Sequence, residues 1–527
     1  MLIPTILLAL TVLSPDTAHG GAVIDMSAAN VPVLLGPTEN AQFGHSLAIG
    51  DVDGDGDNEM VVGAPGDSGP MGIPNVGAVY VIESIVLETA ERPAVADMVA
   101  SLVLAGPWRN GRFGSSLCLC DLDGDGAEDL IVGAPSSGDE EALESGALAV
   151  YLGREGAMLA PEPDIIIRGD WSGGRFGSTL AGADLDNDGR VELLVGAPRA
   201  GEEGGRGPGI VYAFSGSDLV PGEFSAAEVA AATIRGERPG DSLGGLAVGD
   251  LNGDGSSELV LSSARADGDG AELIDAGTVY VIDAADVLER RDVSLSNETS
   301  LAVFEGNATR GYFGGSLSVG DIDDDGRADL LVSAYASGRR WEKVEASGEA
   351  FIAFGLDVPG GDVADRGTDA GPTAPQGAES GGSLSGPGGE PPIGGALSFV
   401  SRRRWDVYGL PVLLADLNGD RSDEVIVAAQ FADGPERERQ ACGEVYIYWG
   451  SLKSVMSAKA GKPDLADVTL VGPHENGMFG GSLAVRNIIA GHLPDLVVGE
   501  PDYPGEGSGT LPGRGAVSVV PDSLFLR

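Results

Sequence analysis

The chain repeats itself. The stretch AQFGHSLAIGDVDGDGDNEMVVGAP, from Ala41, returns as GRFGSSLCLCDLDGDGAEDLIVGAP from Gly111 and as GRFGSTLAGADLDNDGRVELLVGAP from Gly174. Weaker copies begin at Asp241, Gly311, Val407 and Gly477, which makes seven. The phase is strict. Phe43, Phe113, Phe176, Phe313, Tyr408 and Phe479 each lie eight residues before the first position of the loop that follows; the fourth copy has Ser242-Leu243 in place of Phe-Gly. Copies recur every 63 to 71 residues, with one gap of 95 between the fifth and sixth. A fixed period of this length marks a repeat architecture, in which one unit cannot bury its hydrophobic faces alone.

Each copy reads as four strands: one like SLAIG, one like EMVVGAP, one like GAVYVI, and a short fourth such as LVLAG, IIIRG or ATIRG. Four antiparallel strands repeated seven times predict an all-β fold, a seven-bladed β-propeller over residues 24–527. The chain stops after the third strand of the seventh copy, at GAVSVVPDSLFLR, and a surplus strand, VPVLLG from Val31, precedes the first copy. That surplus strand is predicted to complete the last blade and close the ring. The long gap holds a Gly/Pro/Ser-rich insert, about 357–395, with no hydrophobic periodicity. It is predicted to be a disordered loop between the third and fourth strands of blade five.

The first twenty residues, MLIPTILLALTVLSPDTAHG, carry an apolar run from Leu2 to Leu13 and small residues at Ala18 and Gly20. They read as a signal peptide, residues 1–20, and predict a secreted protein. No other apolar run approaches the ~20 residues that a membrane span needs. The net charge of -49 argues against nucleic acid and anionic membrane surfaces as general partners, and points to cations. Three cysteines are too few for a disulfide scaffold.

Between the first and second strands, six copies carry an acidic loop of nine residues. Positions 1, 3, 5 and 9 offer side-chain oxygens and position 7 a carbonyl. The sets are Asp51, Asp53, Asp55, Asp57 and Glu59; Asp121, Asp123, Asp125, Ala127 and Asp129; Asp184, Asp186, Asp188, Arg190 and Glu192; Asp250, Asn252, Asp254, Ser256 and Glu258; Asp321, Asp323, Asp325, Arg327 and Asp329; and Asp416, Asn418, Asp420, Ser422 and Glu424. Alternating carboxylates around a tight glycine turn place several hard oxygens about one cation, which is the logic of a Ca2+ loop; Mg2+ demands a stricter octahedron. The loop lies between strands and has no Glu at position 12, so it is not an EF-hand. Up to six Ca2+ sites are expected. The sixth is the weakest, because Arg421 replaces the glycine. The seventh loop, Asn487 to Asp495, has lost its middle ligands and should be empty.

Phe-Gly before the loop, Gly63-Ala64-Pro65, Gly133-Ala134-Pro135 and Gly196-Ala197-Pro198 after it, and Asp-x-Asp-x-Asp-Gly between resemble FG-GAP repeats. Such repeats build the head propeller of integrin alpha chains. The resemblance covers nearly the whole mature chain. It implies Ca2+ on one face and a protein ligand on the other. Nothing here matches an integrin leg, span or cytoplasmic tail, so an integrin heterodimer is not expected. FG-GAP propellers also occur in a secreted phospholipase and in lectin-like proteins.

Strands alternate direction, so the loops joining strands 2 to 3 and 4 to 1 share the face opposite the acidic loops. That face is nearly balanced in charge and holds Trp108, Trp171, Tyr312, Trp341 and Trp405. Aromatic residues and arginine favour interface hot spots, so these five form the expected ligand-binding face; the competing reading is that they pack between blades. Arg168-Gly169-Asp170 spells an adhesive tripeptide, but the repeat places a glycine there anyway, so no adhesive role is expected of it. Among four histidines no nucleophile–base or zinc spacing is visible, and no catalytic residues are expected. The sequence therefore predicts a secreted, non-enzymatic, Ca2+-binding adhesion propeller with a protein or cell-surface ligand. The alternatives are a lectin-like carbohydrate-binding propeller or a non-catalytic accessory domain of a hydrolase system.

Overall fold

The computed structural model describes residues 21–525, apart from 70–71, 90–92, 139–142, 203, 269–272, 296–298, 338–346, 357–395, 402–404, 435–438, 451–465, 490–492 and 504–512. The expected leader and the insert of blade five lie outside the described residues. Seven sheets follow one another along the chain and form a seven-bladed β-propeller. Blade one joins Ser46–Gly50, Glu59–Ala64, Ala78–Glu83 and Leu102–Ala105, each antiparallel to the next. The other blades repeat this order.

The second strand explains why the repeat reads as a continuous apolar run. In all seven blades its six residues are buried, from Glu59–Ala64 to Asp495–Glu500. A strand in the middle of a blade is covered on both faces by neighbouring blades. Side chains alternate between those neighbours. Met60 and Val62 pack with Val497 and Val517 of blade seven. Val61, between them, packs with Leu130 and Val132 of blade two.

One seam recurs between blades. The aromatic residue that opens a blade is fully buried. Its amide donates to a carbonyl of the preceding blade, as Phe113 does to Val76 at 3.2 Å, Phe176 to Ser145 at 2.9 Å and Phe313 to Ala276 at 2.9 Å. The residue after each accepting carbonyl is a glycine: Gly77, Gly146, Gly209, Gly277, Gly348, Gly443 or Gly515, with φ between 81° and 93°. A Cβ on Gly77 would stand 2.1 Å from the Phe113 oxygen. These glycines are therefore required twice over, by the left-handed backbone and by close approach.

The ring closes as expected. Val33–Leu35 pairs antiparallel with Ala516–Val520 and becomes the fourth strand of blade seven. The seam repeats there too: the Phe43 amide donates to the Arg514 carbonyl at 3.1 Å beside Gly515. The Ser482 hydroxyl also donates to the Gly44 carbonyl at 2.7 Å.

Among the described residues, four blades carry a fifth strand that the repeat did not predict. Ala94–Val95, Gly222–Ser225 and Asp292–Ser294 each leave the loop after a third strand and pair, in parallel, with the outer strand of the preceding blade. Ala22–Asp25 does the same to Val468–Val471. It takes the place that a loop before the fourth strand of blade seven would have. These straps satisfy backbone groups that an open outer edge would leave unpaired. They run for only two to four residues, too short for a periodic signal.

Leu34 is buried against Phe43, Val517 and Val519 at the closure. Leu34→Ala should destabilise the protein by about 2–5 kcal/mol, read as a lowered urea midpoint. A midpoint unchanged within error would show that the closing strand contributes no stability.

Candidate metal-binding loops and the opposite face

Six acidic loops are wired alike. The carboxylate at position 1 accepts from the amide at position 6, as Asp51 does from Gly56 at 2.9 Å, Asp121 from Gly126 at 2.9 Å and Asp416 from Arg421 at 2.9 Å. The carboxylate at position 5 accepts from the amide at position 7, as Asp55 does from Asp57, Asp188 from Arg190 and Asp325 from Arg327. The carboxylate at position 9 is buried and accepts from the amide at position 2: Glu59 from Val52 at 3.1 Å, Asp129 from Leu122 at 2.8 Å, Glu424 from Leu417 at 2.7 Å. The turn thus directs its carboxylates inward before any cation is considered.

In four loops three carboxylates converge, with one oxygen from each within 4.8 Å of the others: Asp51, Asp53 and Glu59; Asp121, Asp123 and Asp129; Asp184, Asp186 and Glu192; Asp321, Asp323 and Asp325. These four loops could hold a metal ion. Crowded anions in a buried setting are unfavourable without one. Burial pushes the Glu59, Asp129, Glu258 and Asp329 carboxyls up to about 7 and Glu424 up to about 8, with neighbouring carboxylates adding to the effect. The Asp53 Oδ1 atom is buried with no hydrogen-bond partner among the described residues. An oxygen donor set with an orphaned carboxylate oxygen fits a hard divalent cation.

Loops four and six differ at position 3. Asn252 donates its amide to Glu258 at 2.7 Å, and Asn418 donates to Glu424 at 2.9 Å. Each amide N–H lies where the other loops bring a third carboxylate. In the seventh loop three backbone amides, those of Ile488, Ile489 and Asp522, serve Asp495. Neighbouring loops are also tied together through position 8, which the sequence did not single out. Glu128 accepts from the Asp51 amide at 3.0 Å, and Asp423 from the Asp321 amide at 2.8 Å. Asn58 donates to the Asn487 carbonyl at 2.7 Å, which links the seventh loop to the first.

The aromatic residues of the opposite face separate into groups. Trp108 is buried among Leu104, Phe113 and Leu159, with the Arg168 guanidinium 5.6 Å from its ring centre. Trp171 is half-buried against the core of blades two and three. Tyr312 stacks on Tyr335 at 5.2 Å. Trp341 lies outside the described residues. Trp405 is 64% exposed, beside Phe431 at 38%. Its φ is 68°, at a turn position where other blades place Asn40, Asn110, Gly173, Gly240, Arg310 or Asn476, all left-handed. The Arg168-Gly169-Asp170 tripeptide is fully engaged: Arg168 pairs with Glu223, and Asp170 accepts from the Ala227 amide at 2.9 Å.

The structure also brings together arginines that no motif announced. Arg199 and Arg265 hold equivalent positions after the second strands of blades three and four and, with Arg206, line one cavity. Arg112 and Arg175 stand nearby at the turns that open blades two and three. These groups are spread over blades two, three and four, so only the fold places them side by side.

The FG-GAP repeat model matches residues 43–82, 113–151, 176–214 and 313–351, which run from the Phe-Gly to the third strand of blades one, two, three and five. Human phosphatidylinositol-glycan-specific phospholipase D is 30% identical over 464 residues, 84% of this chain and 51% of that protein. The bovine enzyme of the same name is 37% identical over 197 residues, 37% of this chain and 23% of that protein. Human integrin alpha-IIb is 36% identical over 169 residues, 31% of this chain and 15% of the integrin. The chain thus spans about half the length of the human phospholipase D it matches. Two expectations are corrected here. The adhesion reading leaned on the integrin likeness, which covers a third to a half of the chain, and the non-enzymatic reading on the missing nucleophile–base spacing, whereas a phospholipase D matches along most of the chain. The physical reason for the error is that repeat and fold do not specify an activity, which depends on the particular site.

The raised carboxyls set a pH dependence. A carboxyl whose folded pKa lies above its unfolded value stabilises the fold at low pH, and that contribution is lost as pH rises through the folded value. Metal-free protein should therefore show a falling melting temperature from about pH 5 to about pH 8. A saturating divalent cation should abolish the fall, and a fall indifferent to cation would mean that these loops bind none. Arg421 has a φ of 80° where the equivalent glycines lie between 83° and 99°. Arg421→Gly should stabilise the protein by about 0.5–1 kcal/mol in denaturant titrations.

Proposed function

We propose that this chain, which is an FG-GAP repeat protein with a propeller like those of integrin alpha chains and phosphatidylinositol-glycan-specific phospholipase D, works in a hydrolase of the phospholipase D type. The observation that carries this reading is the match to that enzyme over 84% of the chain. The substrate class is a phosphatidylinositol glycan. The glycan meets the face opposite the acidic loops, where Trp405 offers an exposed ring for stacking on a sugar. The protein is exported and works outside the cell, a reading that the apolar run from Leu2 to Leu13 supports. Among the described residues no helix is long and apolar enough to cross a membrane.

The cation is Ca2+, in up to six loops. The four loops with converging carboxylates bind first, and the sixth, with Asn418 and Arg421, binds most weakly. Ca2+ supplies charge neutralisation at the turns joining strands one and two. The residues of the loops orient their own oxygens through backbone amides. The role of the cation is thus structural support of the ring.

Two measurements test this. The protein as its source makes it, incubated with a phosphatidylinositol-glycan-anchored protein in detergent, should release that protein and leave phosphatidic acid. No release where a phospholipase D relative succeeds under the same conditions would sink the reading. Chelation should lower the melting temperature, since each site saturated at a hundredfold excess over its Kd contributes about 2.7 kcal/mol. An unchanged melting temperature would exclude structural Ca2+.

A further inference from the structure

On the face opposite the acidic loops, blades three and four border an open cavity of about 470 Å³. That volume lies within the ~300–1,000 Å³ typical of small-molecule sites. Its wall carries three guanidiniums, those of Arg199, Arg206 and Arg265, together with Ser242, Gly240 and one carboxylate, Glu202. The chain has 81 acidic residues against 32 Lys and Arg, so an arginine here has abundant partners to choose from. Yet among the described residues none of these three guanidiniums makes an ion pair, and neither does Glu202.

The cations also repel one another. Burial and the charges of Arg175 and Arg265 pull the Arg199 pKa down, relieved only in part by Glu144. Arg175 spends its own charge on Glu144, 3.2 Å away. The rim is held in shape independently of any ligand. The Gly207 amide donates to the Arg199 carbonyl at 3.2 Å, and the Gly240 amide to the Gly207 carbonyl at 3.1 Å. A braced cavity that gathers unpaired guanidiniums against their mutual repulsion is complementary to an anion. Arginine's planar fork matches phosphate in two hydrogen bonds at once.

We propose that this cavity binds a phosphorylated sugar or inositol, with Arg199 and Arg265 gripping the phosphate from adjacent blades and Arg206 closing over it. The choice of a phosphate ester over other anions rests on the phosphatidylinositol-glycan reading above; the anion preference itself does not. The same chemistry could arrive as a free phosphorylated sugar or as a lipid headgroup.

Calorimetric titration of the full chain with inositol 1-phosphate, with unphosphorylated inositol as the comparator, tests the site, and sedimentation with phosphatidylinositol vesicles against phosphatidylcholine vesicles separates the two sources. Inositol 1-phosphate should bind and inositol should not. Arg199→Ala and Arg265→Ala should each weaken binding by about tenfold or more. Arg199→Lys should weaken it less than alanine does. Arg154→Ala, on the other face, should leave it unchanged, and melting curves will confirm that every variant is folded. Vesicle binding that is lost in the same variants assigns the site to a headgroup; binding of the soluble ester alone assigns it to a free sugar phosphate. No saturable binding of the ester, or binding indifferent to both alanine variants, overturns the proposal. Because binding is read without turnover, hydrolysis without binding overturns the cavity and spares the enzymatic reading. Binding without hydrolysis does the reverse.

Discussion

The structure depends on one seam. A buried residue, aromatic in six blades, opens each blade and donates its amide to the blade before it, at a glycine that leaves no side chain in the way. The contact joins two things a propeller needs at the same point. It fixes the distance between neighbouring sheets, and it buries the largest apolar side chain of the repeat between them. Tyr408 keeps the arrangement with a phenol in place of Phe, its hydroxyl 3.0 Å from that of Tyr448. Leu243 keeps it with no aromatic ring at all, its amide 2.9 Å from the Pro208 carbonyl. The backbone geometry is therefore the invariant, and the ring fills the space that geometry creates.

Charge is divided between the two ends of the ring. Acidic loops gather at one end, where hairpin amides point into carboxylates and a divalent cation would settle the remainder. At the other end, arginines from blades two to four approach one another although the chain as a whole carries a net charge of -49. Arg486 crosses this division: it donates to the Ile49 carbonyl and pairs with Glu128 at 2.9 Å, so blade seven grips the first two blades at the acidic end.

Much of this was legible in the sequence because the repeat converts position into geometry. The eight-residue interval from Phe43 to Asp51, kept in later copies, pointed to the blade number, the strand order, the acidic loops and the closing strand. The straps were not legible: Ala94–Val95 and Asp292–Ser294 are too short to show a period of two. The state of the tryptophans was not legible either. Trp108 and Trp405 both fall in loops of the same face, yet one fills a gap between blades and the other faces solvent. Loop membership says which face a residue belongs to, and packing says how deep it lies. The arginine cavity needed the fold, since Arg199 and Arg265 are neighbours only across a blade boundary. The activity was beyond reach for a different reason. Carboxylate spacing describes how a propeller is held together, and propellers of different occupation share it.

The strap at Ala22–Asp25 and the strand at Val33–Leu35 bind the start of the chain to its last two blades. Blades one to six can each assemble from a contiguous stretch as it leaves the ribosome. Blade seven cannot, because its fourth strand is made early and the partner of that strand roughly five hundred residues later, the kind of non-local pairing that slows folding. Until Val468–Val471 is made the strap has no sheet to join, and until Ala516–Val520 is made the closing strand has none. A chain built this way needs something to shelter its beginning until its end arrives.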